Sequence, residues 1–171
     1  MPERAFPWRW LGLAAAVIAA DLATKAWASA SLKPGEPLVV TPFFNLVLVH
    51  NPGAAFSFLA GAGGWQRWFF VAVAVAVSAF LLHLLRGAGS NRLLALALSL
   101  VLGGALGNLW DRLTLGHVVD FVQLHASGWY WPAFNVADSA ITVGVVLLLW
   151  DGVRESRAAR RAPDGGARTG S

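Results

Sequence analysis

Two aspartates near the C-terminal end, Asp120 in GHVVDF and Asp138 in FNVADSAI, precede and enter a strongly apolar stretch that closes on VGVVLLLW. A carboxylate at membrane depth costs a few kcal/mol on insertion scales, so each must be compensated or used. Two carboxylates sharing a partly dry site do not both ionise cheaply; one keeps its proton while the other stays charged. The ionised acid can then take a proton from water while the protonated acid donates to a carbonyl oxygen. That is the acid–base chemistry of peptide hydrolysis by paired aspartates. Two separately hydrogen-bonded acids are the plain structural alternative, and the sequence does not assign the proton of a coupled pair.

Other polar residues interrupt the apolar runs at helical spacing. Asp21 and Lys25 in DLATK are four apart and meet on one helix face. They serve either as an ion pair that makes the helix end tolerable to lipid or as support for a site. In GGALGNLWDRL, Gly103 and Gly107 form a small-xxx-small pair that lets another helix approach. Gly104, Asn108 and Asp111 or Arg112 share one side. Arg112 suits a carboxylate, a phosphate-like group or a backbone carbonyl. Asn135 and Asp138, three apart, share a face of the last apolar segment. If that helix begins near Ala133, Asp138 lies roughly 7–8 Å below its outer end. Pro132 suits its first turn, and Trp129, Tyr130 and Trp131 suit an interfacial belt.

The elements that must position these groups are membrane helices. Of 171 residues, 57% are hydrophobic and only 13% charged, a balance outside the soluble globular range. Four stretches approach the roughly 20 residues needed to cross a bilayer: about Trp8 to Ala28, Trp68 to Leu85, Leu93 to Trp110 and Ala133 to Trp150. The expected fold is an all-α membrane protein with four transmembrane helices and a small β-structured outer loop lying on the membrane. Arg4, Arg9, Arg86, Arg92, Arg154, Arg157, Arg160, Arg161 and Arg168 flank the apolar runs on one side, which the positive-inside rule makes cytoplasmic. Both termini are then cytoplasmic, and Asp120 and Asp138 lie near the outer face. The first outer loop, about 31–66, contains PLVVTPFFNLVLVHN, which reads as two short strands broken at Pro42. NPGAAFSFLAGAGG then supplies turn residues and an apolar surface, suited to folding over a bound substrate. Residues 1–153 read as one domain. Residues 154–171, polar and basic, read as a disordered cytoplasmic tail suited to anionic lipid.

Composition also excludes chemistry. With no cysteine, disulfides, iron–sulfur clusters and thiol catalysis are ruled out. The four histidines, His50, His83, His117 and His125, make no HExxH or comparable metal spacing. The net charge of +4 lies beside apolar runs and argues against a nucleic-acid partner. Arg4, Arg9, LGLAAAVIAA and Ala28-Ser29-Ala30 together mimic a cleavable secretory signal. Cleavage would leave three spans and put the basic loop and tail on conflicting sides, so an uncleaved first helix is expected.

Read in order, DLATKAW, NPGAAFS, GNLWDRLTLGHVVDF and FNVADSAI resemble the lipoprotein signal peptidases, the signal peptidase II family, over nearly the whole chain. Leu22 and Pro52 depart from the residues usual in that family. The resemblance implies an aspartic endopeptidase that removes the signal peptide from bacterial prolipoproteins at the bond before the diacylglyceryl-modified cysteine. It implies Asp120 and Asp138 as the catalytic pair, with Asn51, Asn108, Arg112 and Asn135 lining the substrate site. Asp21, Lys25 and Asp111 are then supporting groups. It further implies the outer face of the cytoplasmic membrane, a prolipoprotein and membrane lipid as partners, and no cofactor.

Two other chemistries fit some of the residues. A Ser–Lys dyad would use Lys25 with Ser57 or Ser139. A small proton-coupled transporter or channel subunit would use Asp21, Asp111 and Asp138 as a relay. A structural or assembly membrane protein would need neither aspartate for chemistry.

Overall fold

A computed structural model describes residues 8–53 and 64–161, so residues 54–63, the middle of NPGAAFSFLAGAGG, and the tail beyond Arg161 lie outside the described residues. The elements run α1 (Trp8–Ser31), β1 (Leu38–Thr41), β2 (Phe44–Asn51), α2 (Trp65–Gly87), α3 (Arg92–Thr114), β3 (Val118–Ala126), β4 (Trp129–Tyr130) and α4 (Val136–Arg161). All four helices are long and apolar enough to cross a membrane.

The third helix is the centre. Two thirds of its apolar window is buried inside the protein, 67% against 22% or less for each of the others, and it packs on α1, α2 and α4. Glycine permits this closeness. A Cβ on Gly103 would stand 2.8 Å from the Ala14 carbonyl oxygen of α1, and one on Gly104 would strike the Ala137 carbonyl oxygen of α4. Gly144 returns the favour from α4, where a Cβ would meet Val101 Cγ2 at 2.6 Å. Backbones in such contact gain dispersion energy where lipid offers no hydrophobic drive. Leu81, Leu85, Leu98, Val101 and Leu102 fill the remaining core.

Helix ends differ from the sequence expectation for local reasons. The third helix continues to Thr114, four residues past Trp110, so Asp111 and Arg112 are helical. Its start is capped by Asn91, whose side chain accepts from the Leu94 N–H at 3.1 Å. The fourth helix starts at Val136 rather than Ala133. Pro132 is therefore outside it, because Phe134 pairs with β3: its N–H donates to the Val122 carbonyl at 3.0 Å and its carbonyl accepts from Phe121 and Val122. At the other end α4 runs to Arg161, where residues 154–161 were expected to be unstructured. Alanine and arginine favour helix, and Arg154 pairs with Asp151 one turn back at 3.0 Å.

The strands form one antiparallel sheet in the order β1-β2-β3-β4. The first two come from the segment expected to be β-structured. The other two come from the second long connection, where the β-branched residues of HVVDFVQ pair with β2 through Val49↔Asp120, His50↔Val119 and Asn51↔Val118. The sheet buries Asn45, Val47, Leu48 and Val118 to Phe121, and leaves Leu38, Val39, Val40, Phe43, Trp129 and Tyr130 exposed.

Candidate active site

Lys25 is 3% exposed and meets two carboxylates, Asp21 at 2.7 Å and Asp111 at 2.9 Å. Its ammonium also donates to Asn108 Oδ1 at 2.9 Å. Each carboxylate in turn holds a backbone N–H. Asp21 Oδ1 accepts from Ala137 at 2.8 Å, at the start of α4. Asp111 Oδ2 accepts from Val119 at 3.1 Å, beside Asp120. A buried charge cluster is stable only when its lone pairs and protons are satisfied, and here the satisfying groups come from the segments that carry Asp120 and Asp138. The i,i+4 pair thus fixes the site elements rather than merely neutralising a helix end. Gly107 makes room for it: a Cβ there would lie 2.6 Å from Asp21 Oδ2.

Asn135 joins the two aspartates. It caps α4 reciprocally with Asp138, its Oδ1 accepting from the Asp138 N–H at 2.9 Å while Asp138 Oδ2 accepts from the Asn135 N–H at 3.3 Å. This is a capping box, with the acid three residues after the cap. The Asn135 amide donates to Asp120 Oδ1 at 2.7 Å, the nearest of its three acceptors. Asn108 Nδ2 donates to Asp138 Oδ1 at 2.7 Å, and Asn51 Nδ2 donates to Asp120 Oδ2 at 3.1 Å. Asp138 is therefore in the first turn of α4, shallower than a start at Ala133 implied, and half-buried. Asp120, on β3, is 2% exposed. Burial, followed by the charge of Asp138, pushes its carboxyl up from an ordinary 3.8 to about 7, against the pull of Asn51 and Asn135.

Arg112 lies beside this network. One guanidinium nitrogen donates to the Asn108 carbonyl at 3.1 Å, and the group sits 5.3 Å over the Phe70 ring. Its buried Nε has no hydrogen-bond partner among the described residues. Asn51 also accepts from the Gly53 N–H at 2.9 Å, which turns the chain away from β2. A groove of about 630 Å³ runs from Leu124 and Trp131 past Phe134 to Asp138 and on to Thr142 and Val143. All nine residues expected at the site thus fall in one connected region. The backbone N–H groups of Ala137 and Val119 and the Phe70 ring were not foreseen. Of these, only Phe70 leaves any trace in a sequence, as an aromatic near the start of a helix.

The alternative chemistries find less. Lys25 is held by two carboxylates, while the Ser139 hydroxyl donates to the Asn135 carbonyl at 2.9 Å; Ser57 lies outside the described residues. For a relay, the buried polar residues near the middle of the spans, among those described, are Asp21, Ser78 and Ser99, and Asp21 is already committed to Lys25 and the Ala137 N–H.

Comparison with known proteins places this geometry. Residues 13–154 match the family model described as signal peptidase (SPase) II. The chain belongs to the signal peptidase II family. Lipoprotein signal peptidases of Burkholderia mallei and Burkholderia thailandensis are 52% identical over 151 residues, 88% of this chain and 91% of theirs. That of Paraburkholderia phymatum is similar to the same degree. Two solved structures, each titled as a bacterial membrane enzyme determined by the in meso method, share the fold. The one at 2.3 Å resolution has a TM-score of 0.82 at 30% identity, covering 97% of this chain and 99% of its own. The one at 1.9 Å has a TM-score of 0.76 at 33% identity, covering 88% and 96%. As a signal peptidase II with four spanning helices, the chain is a multi-pass membrane protein and a protease.

Proposed function

We propose that this signal peptidase II is an aspartic endopeptidase that cleaves bacterial prolipoproteins before the diacylglyceryl-modified cysteine, with Asp120 and Asp138 as its catalytic pair. One observation carries the reading: the Asn135 amide bonds Asp120 while its own cap bonds Asp138, so one residue sets both carboxyls. Asp120, pushed up to about 7, holds the shared proton near neutral pH, and its partner is left to take a proton from water. Asp138 lies in the first turn of α4, where unpaired backbone N–H groups favour an anion. The attacking water gives its proton to Asp138 as its oxygen bonds to the peptide carbon. Asp120 donates to the carbonyl oxygen; the proton on Asp138 then passes to the amide nitrogen, the C–N bond breaks, and a hydroxyl proton of the intermediate returns to Asp120 as the carboxylic acid forms. Arg112, with spare donors, and Asn51 orient the peptide, while Asn108, Asp21, Lys25 and Asp111 hold the acids in place.

The groove that passes Asp138 is apolar on its sides and suits the lipidated cysteine. The basic flanks support a reading with both termini in the cytoplasm, and the exposed Trp129, Tyr130 and Trp131 support one with the sheet at the outer interface of the cytoplasmic membrane. The test is cleavage of a purified diacylglyceryl prolipoprotein by the detergent-solubilised protein, beside folded Asp120→Asn and Asp138→Asn variants. Loss of cleavage in both is expected; near-parent activity in either removes that residue from the pair.

A further inference from the structure

His50 and His117 are 67 positions apart in sequence order yet their rings lie 4.4 Å apart between centroids, tilted by 41°. The strand register brings them together: His50 pairs with Val119 and Asn51 with Val118, which leaves His117 just beyond the end of the ladder. His50 is exposed and His117 half-buried, so the pair is open to solvent on one side. Two imidazoles holding one ion through metal–nitrogen bonds of about 2.0–2.1 Å have ring centres roughly 4.5–5 Å apart. The observed spacing is within a small side-chain adjustment of that.

We infer that His50 and His117 form a two-histidine binding site for a borderline divalent transition cation such as Zn²⁺ or Cu²⁺. Among the described residues no third histidine or carboxylate completes the set, so water fills the remaining positions. The site is independent of the peptidase reading. An ion there braces the end of β2 that carries Asn51 against the entry to β3, three residues before Asp120. The hydrogen bond between Asn51 and Asp120 is then clamped from outside.

The experiment uses the full chain in detergent, with Zn²⁺ or Cu²⁺ added to metal-free protein. A tenfold excess of Zn²⁺ over its dissociation constant should raise the unfolding midpoint by about 3–6 °C. Cu²⁺ should give an electron paramagnetic resonance spectrum with coupling to two imidazole nitrogens. Both signals should vanish in His50→Ala, whose exposed side chain is not needed for folding, and in His117→Ala, and persist in His83→Ala and His125→Ala. Absence of both signals in the parent overturns the inference, as does their survival in His50→Ala.

Discussion

Replacing Asp120 by asparagine should abolish cleavage and stabilise the protein at the same time. The Asp120 carboxyl, 2% exposed, is raised from an ordinary 3.8 to about 7 by burial and by Asp138. The folded state therefore holds a proton that the unfolded chain has already released. Between about pH 4 and pH 7 the unfolded chain binds fewer protons than the folded one, so stability falls as pH rises through that window. At roughly 1.4 kcal/mol per pH unit, the penalty is about 2 kcal/mol at pH 5 and reaches about 4 kcal/mol at pH 8. Asparagine removes it. The replacement also offers one acceptor to the two amide donors of Asn51 and Asn135, which costs about 1–2 kcal/mol. The net gain is then near zero at pH 5 and about 2–3 kcal/mol at pH 8, or roughly 5–10 °C in midpoint for a chain of this size. Thermal unfolding in one detergent at both pH values measures it. A variant less stable than the parent at pH 8, or a gain equal at both pH values, refutes the placement of the proton.

Asn51→Ala removes a donor that favours ionised Asp120, so the descending limb of the kcat/KM profile should move from near pH 7 to about pH 8 or above; an unmoved limb means Asp120 does not set it. Lys25→Met leaves Asp21 and Asp111 without their cation and should cost about 3–5 kcal/mol in unfolding experiments, together with activity. Gly104→Ala sets a methyl against the Ala137 carbonyl oxygen and should cost about 1–3 kcal/mol, read as a lower unfolding midpoint. Ser139→Ala, which loses a hydroxyl bonded only to the Asn135 carbonyl, should leave the cleavage rate within about a factor of two, since no catalytic role falls to it.

The membrane helices were legible because twenty apolar residues in succession have few other uses, and the spacing of Asp21 with Lys25 and of Asn135 with Asp138 placed each pair on one face. The site's connectivity was not legible. That Lys25 reaches across to Asp111 and Asn108 depends on how closely α1 and α3 approach, which Gly103 and Gly107 permit but do not dictate. The start of α4 was misplaced because proline suits a first helical turn wherever it stands. Pairing of Phe134 with β3 overrode that preference and gave the cap to Asn135. The strand through Asp120 is not among the expected elements, although VVDFV has the β-branched content of a strand, because its partner lies some seventy residues upstream. Basic residues after Trp150 looked like a solvated tail, yet local helix propensity suffices to extend α4 to Arg161.

The central position of α3 bears on how the chain is made. Its Asn108 and Asp111 satisfy one another through Lys25 as soon as α1 and α3 are both in the bilayer. Asp21 still lacks the Ala137 N–H, and Gly104 and Val101 still lack the helix that covers them, until α4 has left the ribosome. A nascent chain halted before residue 136 is thus a three-helix intermediate with an open polar seam, the kind of species that membrane chaperones shield and membrane proteases remove. Synthesis of the last helix is the step that closes the seam and brings Asp138 beside Asp120.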